Sequence, residues 1–145
     1  MSTSNQNGHL LLFSGREWYK ELSVEELQKV VNENKAWFER LVAQGKVKGA
    51  HGLDRQGAVV SGRSGRVLSD GPFAESKETI GGYFLLSVGT MDQAVAVARQ
   101  CPGLDYGIRV EVRPVAGECP AAEELRSEAR LAAELLACGV ILVDL

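Results

Sequence analysis

The side chains with the most chemical reach fall in one stretch, SDGPFAESKETIGGYFLL, residues 69–86. Asp70, Glu75, Lys77 and Glu78 gather three carboxylates and an ammonium ahead of a glycine pair and an apolar run. A carboxylate serves as general base at neutral pH when burial raises its pKa, which makes Asp70 the candidate base. Lys77 can anchor an anion, and Glu78 can join it at a pocket rim. A lysine between two carboxylates can equally pin its own loop through an ion pair. The other features also fit a purely structural lead-in to a strand. Asp70–Gly71 is a turn dipeptide, Pro72 forces Gly71 out of the helical region, and Gly81–Gly82 permit close backbone approach.

Only two imidazoles exist, His9 and His51. Histidine titrates near neutrality, so His51 is the candidate proton partner of Asp70, although a lone histidine in a strand is often only a hydrogen-bonded sheet residue. His9 stands beside a polar start expected to fray and is the weaker candidate. Asn34 interrupts an apolar helical stripe seven residues after Leu27. A buried amide must find partners, either in the sheet or on a substrate that it orients. Tyr83 joins the substrate-binding set, with a half-buried strand aromatic whose hydroxyl is satisfied as its other reading. Two separated histidines and scattered carboxylates lack metal-ligand spacing. The glycines lack the strand–glycine loop–helix setting of a phosphate or dinucleotide site. No cofactor is expected.

These groups need elements to hold them. HLLLF (9–13) reads as a short buried strand. A helix follows from Ser23, where Ser23 with Glu26 makes a capping box and Leu22 with Leu27 a hydrophobic staple. Leu27, Val30, Val31, Trp37, Phe38, Leu41 and Val42 mark its apolar face, and Gly45 its stop. KGAHGL (48–53) is strand-like, AVVSG and RVLS suggest a hairpin, and YFLLSV (83–88) is a second strongly apolar strand. Thr90 with Gln93 caps a second helix that runs to about Cys101. In YGIRVEVRPV (106–115), Ile108, Val110 and Val112 alternate with Arg109, Glu111 and Arg113. The arginines and Glu111 then point away from the helices, where pairing across a dimer is the main reading and an anion site the other.

With the hairpin set aside, the order is strand, helix, strand, strand, helix, strand. That predicts an α+β, ferredoxin-like βαββαβ fold with an inserted hairpin and an antiparallel sheet covered by helices on one face. The uncovered face of such a sheet is commonly buried against a second copy, so a homodimer is expected. Residues 1–117 form this domain. Residues 118–145 form an extension, with a helix from about Ala121 to Ala137 and an extended apolar Val140–Val143 that docks on apolar surface.

Composition narrows the function classes. The 145 residues fit one domain with a tail, and 45% hydrophobic with 24% charged residues is ordinary for a globular chain. A net charge of −3 offers no overall field for nucleic acid or an acidic membrane surface. No apolar run is long enough to span a bilayer, and the start lacks a secretory pattern. Three cysteines without a CxxC pair fit a reducing cytoplasm better than a disulfide scaffold.

DGPFAESKE followed by GGYFLL resembles the YCII-related family in its DGPF branch. HLLLF, SVEELQKVVNENKAWFERLVAQGKV, the Gly49–Leu53 stretch and CPGLDYGIRVEVRPV support the resemblance, which covers roughly residues 9–115. It implies a dimeric α+β barrel in which two ferredoxin-like protomers stack their sheets, and a family mostly of unassigned activity. In the branch with the best-argued site, a first-helix histidine works with an aspartate beside the sheet. That histidine position falls on Asn34 here, so the dyad is not intact. The implied activity is cofactor-free acid–base chemistry, isomerase- or lyase-like, on a small molecule. The alternative is a non-enzymatic ligand-binding or regulatory module, since relatives are often associated with sigma-factor systems. A purely structural dimer is the third reading.

Overall fold

The computed structural model describes residues 5–15, 18–70 and 80–137, with backbone alone for residues 66–70. In chain order the first body comprises β1 (His9–Ser14), α1 (Val24–Ala43), β2 (Val47–Gly52), β3 (Ala58–Ser61), β4 (Arg66–Asp70), β5 (Ile80–Leu86), α2 (Met91–Ala98) and β6 (Arg109–Pro114). A short 3-10 helix, Pro102–Tyr106, stands between α2 and β6. The sequence reading had only the end of a helix there.

Local chemistry fixes the ends of α1. The Ser23 hydroxyl accepts the Glu26 amide N–H at 3.1 Å, and the Glu26 carboxylate accepts the Ser23 N–H at 3.1 Å. Two of the orphan donors of the first turn are thereby satisfied. At the other end Gly45 adopts φ 69°, a left-handed conformation that costs a residue without Cβ little. The Lys46 and Gly45 amides then reach back to the Leu41 and Val42 carbonyls at 2.9 and 3.0 Å. That pair of bonds is a Schellman stop. Thr90 and Gln93 build the same reciprocal box at the start of α2.

The main sheet is four-stranded in the order β2-β5-β1-β6, and β3 with β4 forms a separate two-stranded hairpin. β1 is antiparallel to both β5 and β6, and β2 is antiparallel to β5. The two strand–helix–strand units therefore interleave: β5 lies between β1 and β2, and β1 lies between β5 and β6.

Strand alternation decides which face is the core. Leu11 on β1 pairs with Phe84 on one side and Val112 on the other. Leu11, Leu86, Trp37, Leu41 and Val97 are buried, with Phe13, Phe84, Val110 and Val112 packed against them, so the helices cover this face. Each such large side chain contributes about 1.5–3 kcal/mol when fully buried. The opposite face carries Leu10, Leu12, Tyr83 and Leu85, all half-buried, and the exposed Arg109, Glu111 and Arg113. Glu111 and Arg113 approach to 3.8 Å along the same strand. Among the described residues of the first body, the helices pack on the other face and supply this one with no covering layer.

The beginning of the described chain is better held than its polar sequence suggests. The Asn5 side-chain amide donates to the Val115 carbonyl at 2.9 Å. His9 is 1% exposed, and its Nδ1–H donates to the Val88 carbonyl at 3.0 Å. It is a core residue, not part of a frayed end.

Residues 116–145 make a second compact unit. Its helix α3 spans Pro120–Ala137, and the Arg126 guanidinium bonds both oxygens of the Glu118 carboxylate. Leu125, Leu131 and Leu136 are exposed on α3. The expected Val140–Val143 strand lies outside the described residues. Among the described residues no helix is long and apolar enough to cross a membrane.

Candidate functional site

A cleft of about 640 Å³ opens in the first body where α1, the segment after β1 and the ends of β2 and β5 meet. Small residues make the space. Ala50, Gly52 and Gly82 all line it, where larger side chains would fill it. Gly82 is also constrained by its neighbour across the ladder. A Cβ there would stand 3.0 Å from the His51 carbonyl oxygen and 3.4 Å from the Gly52 Cα. The glycine pair of the sequence thus allows β2 to approach β5.

The helix-side wall is aromatic. Phe84 lies 4.8 Å from Phe13, 5.2 Å from Trp37 and 5.2 Å from Phe38, measured between ring centroids. Trp37 is 2% exposed, and its indole nitrogen is buried without a hydrogen-bond partner among the described residues. Trp18 and Tyr19, half-buried in the turn after β1, add an edge-to-face pair at 5.9 Å. The Arg55 guanidinium stands 5.8 Å from the centre of the Tyr19 ring. Cys101 closes part of the floor; burial pushes its thiol above the ordinary range, against the weaker pull of hydrogen bonds with the Gly103 and Leu104 backbone. A protonated thiol is a poor nucleophile.

The polar groups come from three elements. Asn34 projects from α1, half-buried, and lines the cleft with no side-chain hydrogen bond to another described residue. His51 and Tyr83 are cross-strand partners on β2 and β5. The His51 Nδ1 and the Tyr83 hydroxyl are 2.7 Å apart. Either can donate, according to the imidazole tautomer. Alternation sets this pair on the face opposite Phe84 and Ala50, so the cleft runs past the glycine-rich strand ends and meets both faces of the sheet. Lys35 and Arg55 are the charged lysine and arginine side chains on its described lining.

The structure therefore brings together three of the residues selected from sequence: Asn34, His51 and Tyr83. Asp70 ends β4, and its side chain lies outside what is described. Lys77 and Glu78, with the rest of the 71–79 segment, also lie outside the described residues. Sequence reasoning passed over Trp18, Tyr19 and Arg55, and read Phe38 only as part of the apolar face of the first helix. The available signal was aromatic: a Trp–Tyr pair placed in a polar turn has no core of its own to enter. Among the described residues no three His, Cys, Asp or Glu side chains cluster as metal ligands. The YCII-related domain family model matches residues 16–116, which takes in the described lining of the site except Phe13, Ser14 and Gly15 at the end of β1. No curated protein matches the chain.

Proposed function

We propose, from the premise that the chain belongs to the YCII-related domain family, that the cleft carries out cofactor-free acid–base chemistry on a small organic molecule. The observation that carries this reading is the 2.7 Å contact between the His51 imidazole and the Tyr83 hydroxyl at a cleft also lined by Asn34, whose amide has no side-chain hydrogen bond to another described residue. A histidine–phenol couple can accept a proton at one atom and release one at another, which is what an isomerase or lyase requires. Asp70 takes a proton from a carbon next to an electron-withdrawing group. The His51–Tyr83 couple returns one to a second carbon, or to a leaving group. Asn34 orients the substrate by its amide, and Lys77 with Glu78 holds its polar end. The long DGPFAESKE…GGY motif supports the DGPF branch within the family.

The interleaved strand order supports a ferredoxin-like fold. The half-buried Leu10, Leu12 and Leu85 on the face without helices support a second copy stacked there as a dimeric α+β barrel. Such stacking encloses the His51–Tyr83 side of the cleft and raises the strength of its hydrogen bonds by excluding water.

The test is a thermal-shift screen of wild type and His51→Ala against a metabolite library, followed by product detection on each stabilising compound. The expected result is a compound that wild type converts, and that His51→Ala binds but converts at least 100-fold more slowly. A compound held in the cleft by both proteins and converted by neither overturns the enzymatic reading. It would leave a ligand-binding module, the alternative that the sigma-factor association of relatives implies.

A further inference from the structure

The chain has nine aromatic residues in all, four Phe, two Trp and three Tyr. Seven of them line the single cleft described above, although they come from four separate places: β1, the turn after it, α1 and β5. Core packing accounts for only part of this: Phe13, Trp37 and Phe84 belong to or pack against the core, while Trp18, Tyr19, Phe38 and Tyr83 stand outside that cluster. The fully buried core of the same body is built from Leu11, Leu41, Leu86, Val30 and Val97, with Trp37 the one aromatic among its buried members. The other six aromatics are half-buried, so each keeps ring surface at the cleft. Aromatic walls of this kind favour a flat, polarisable partner, because stacked and edge-to-face ring pairs gain energy beyond the area they bury. The charged side chains on the described lining are cations, Lys35 and Arg55, in a chain of net charge −3. The Asn34 amide and the Trp37 indole N–H add donors without partners among the described residues.

We propose that the ligand of this cleft is a planar aromatic acid of one or two rings, its ring held between the Phe84 cluster and the Trp18–Tyr19 turn, and its anionic group directed to the Lys35 and Arg55 rim. The inference rests on the reading of the cleft as a ligand site and deepens it by naming the chemical class. The volume of about 640 Å³ falls within the range of small-molecule sites and accommodates two fused rings with a carboxylate. A cation above an aromatic ring, as Arg55 is above Tyr19, suits an anion at the ring's edge, since a guanidinium has more N–H donors than one partner uses and can hold a carboxylate beside the contacts it already makes.

The experiment is a calorimetric titration of the full chain with 2-naphthoate, cyclohexanecarboxylate and 2-naphthalenemethanol, paralleled by tryptophan fluorescence. Trp18 and Trp37 are the only tryptophans, and both line the cleft, so a change in their emission reports occupation of this site. The expected result is binding of 2-naphthoate with altered emission, and binding at least tenfold weaker for both the saturated acid and the neutral alcohol. Tyr19→Leu and Arg55→Gln each weaken 2-naphthoate at least fivefold. A saturated acid as tight as the aromatic one, binding untouched by both substitutions, or no binding of any aromatic acid overturns the proposal. The two readings fail separately. Loss of turnover evidence with 2-naphthoate affinity intact breaks only the acid–base reading. A non-aromatic compound converted in the cleft breaks only the ligand class.

Discussion

Leu11 and Leu12 are neighbours on β1, yet they belong to different problems. Leu11 is fully buried under the helices, while Leu12 is half-buried on the face that no described helix of the first body covers. The same alternation repeats across the sheet. Phe84, Val110 and Val112 join the core, and Tyr83, Arg109, Glu111 and Arg113 face the other way. One face is saturated by its own chain and supplies stability. The other keeps apolar area and polar groups in reserve, and the cleft sits where the two meet. A sheet of this kind separates folding from function by a single residue step.

Substitutions on adjacent residues sharpen that contrast most strongly. Leu11→Ala leaves a cavity in a packed core and is expected to destabilise the protein by about 2–5 kcal/mol, read as a lower denaturant midpoint. Leu12→Ala removes less buried surface and is expected to cost a single protomer about 1 kcal/mol or less. Equal losses at the two positions break the distinction between the faces.

The second prediction turns to the open face. Leu12→Glu sets a charge where the proposed second copy would stack, and an unpaired buried charge is costly at an interface. Wild type is expected to scatter light as a dimer at micromolar concentration, and Leu12→Glu as a folded monomer. A wild-type monomer under those conditions refutes the stacked dimer and leaves the open face to another role.

Gly82 ties the two faces together at the cleft. An alanine there must push the β2 backbone by a few tenths of an ångström, because the added Cβ would approach the His51 carbonyl to 3.0 Å. Such overpacking costs about 1–3 kcal/mol, offset by about 0.5–1 kcal/mol for removing glycine's freedom in the unfolded chain. A net loss near 1 kcal/mol is expected, together with weaker 2-naphthoate binding as β2 shifts its His51. Unchanged stability and affinity would show that the close approach of β2 and β5 is not needed.

How much of this was legible beforehand follows from the range of each interaction. The capping boxes at Ser23 and Thr90, the stop at Gly45 and the alternation of β6 are local, and each was readable because the residues that make it lie within a few positions. The contact of His51 with Tyr83 spans 32 positions and exists only once β2 and β5 take their register. Each residue was a candidate by type, but nothing in the sequence paired them. Asn34 was legible as a polar break in an apolar stripe, and it does line the cleft. The Trp18–Tyr19 turn and Arg55 escaped notice because loops carry no periodicity to betray a site.

The smallest expected effect concerns the cap that orients α1 over the covered face. Hydrogen bonds from the Ser23 backbone and side chain hold the Glu26 carboxyl below its ordinary pKa. A carboxyl with a depressed folded pKa contributes stability that is present above its unfolded pKa and lost as pH falls through the folded one. The capping box is therefore intact at neutral pH and fails only in acid, below the ordinary carboxylate range. Because Glu26 is fully exposed, its share is small and screened by salt. Removing the whole box by Ser23→Ala costs about 1 kcal/mol at neutral pH. The difference in melting temperature between wild type and Glu26→Gln is expected to be modest near pH 7 and to shrink as the pH falls below the ordinary carboxylate range. The open-face variant Leu12→Ala removes no carboxyl itself, although Glu111 is its cross-strand partner, so its own difference from wild type should vary less over the same range. If the Glu26→Gln difference instead grows in acid, the cap is not what anchors the helix over the core.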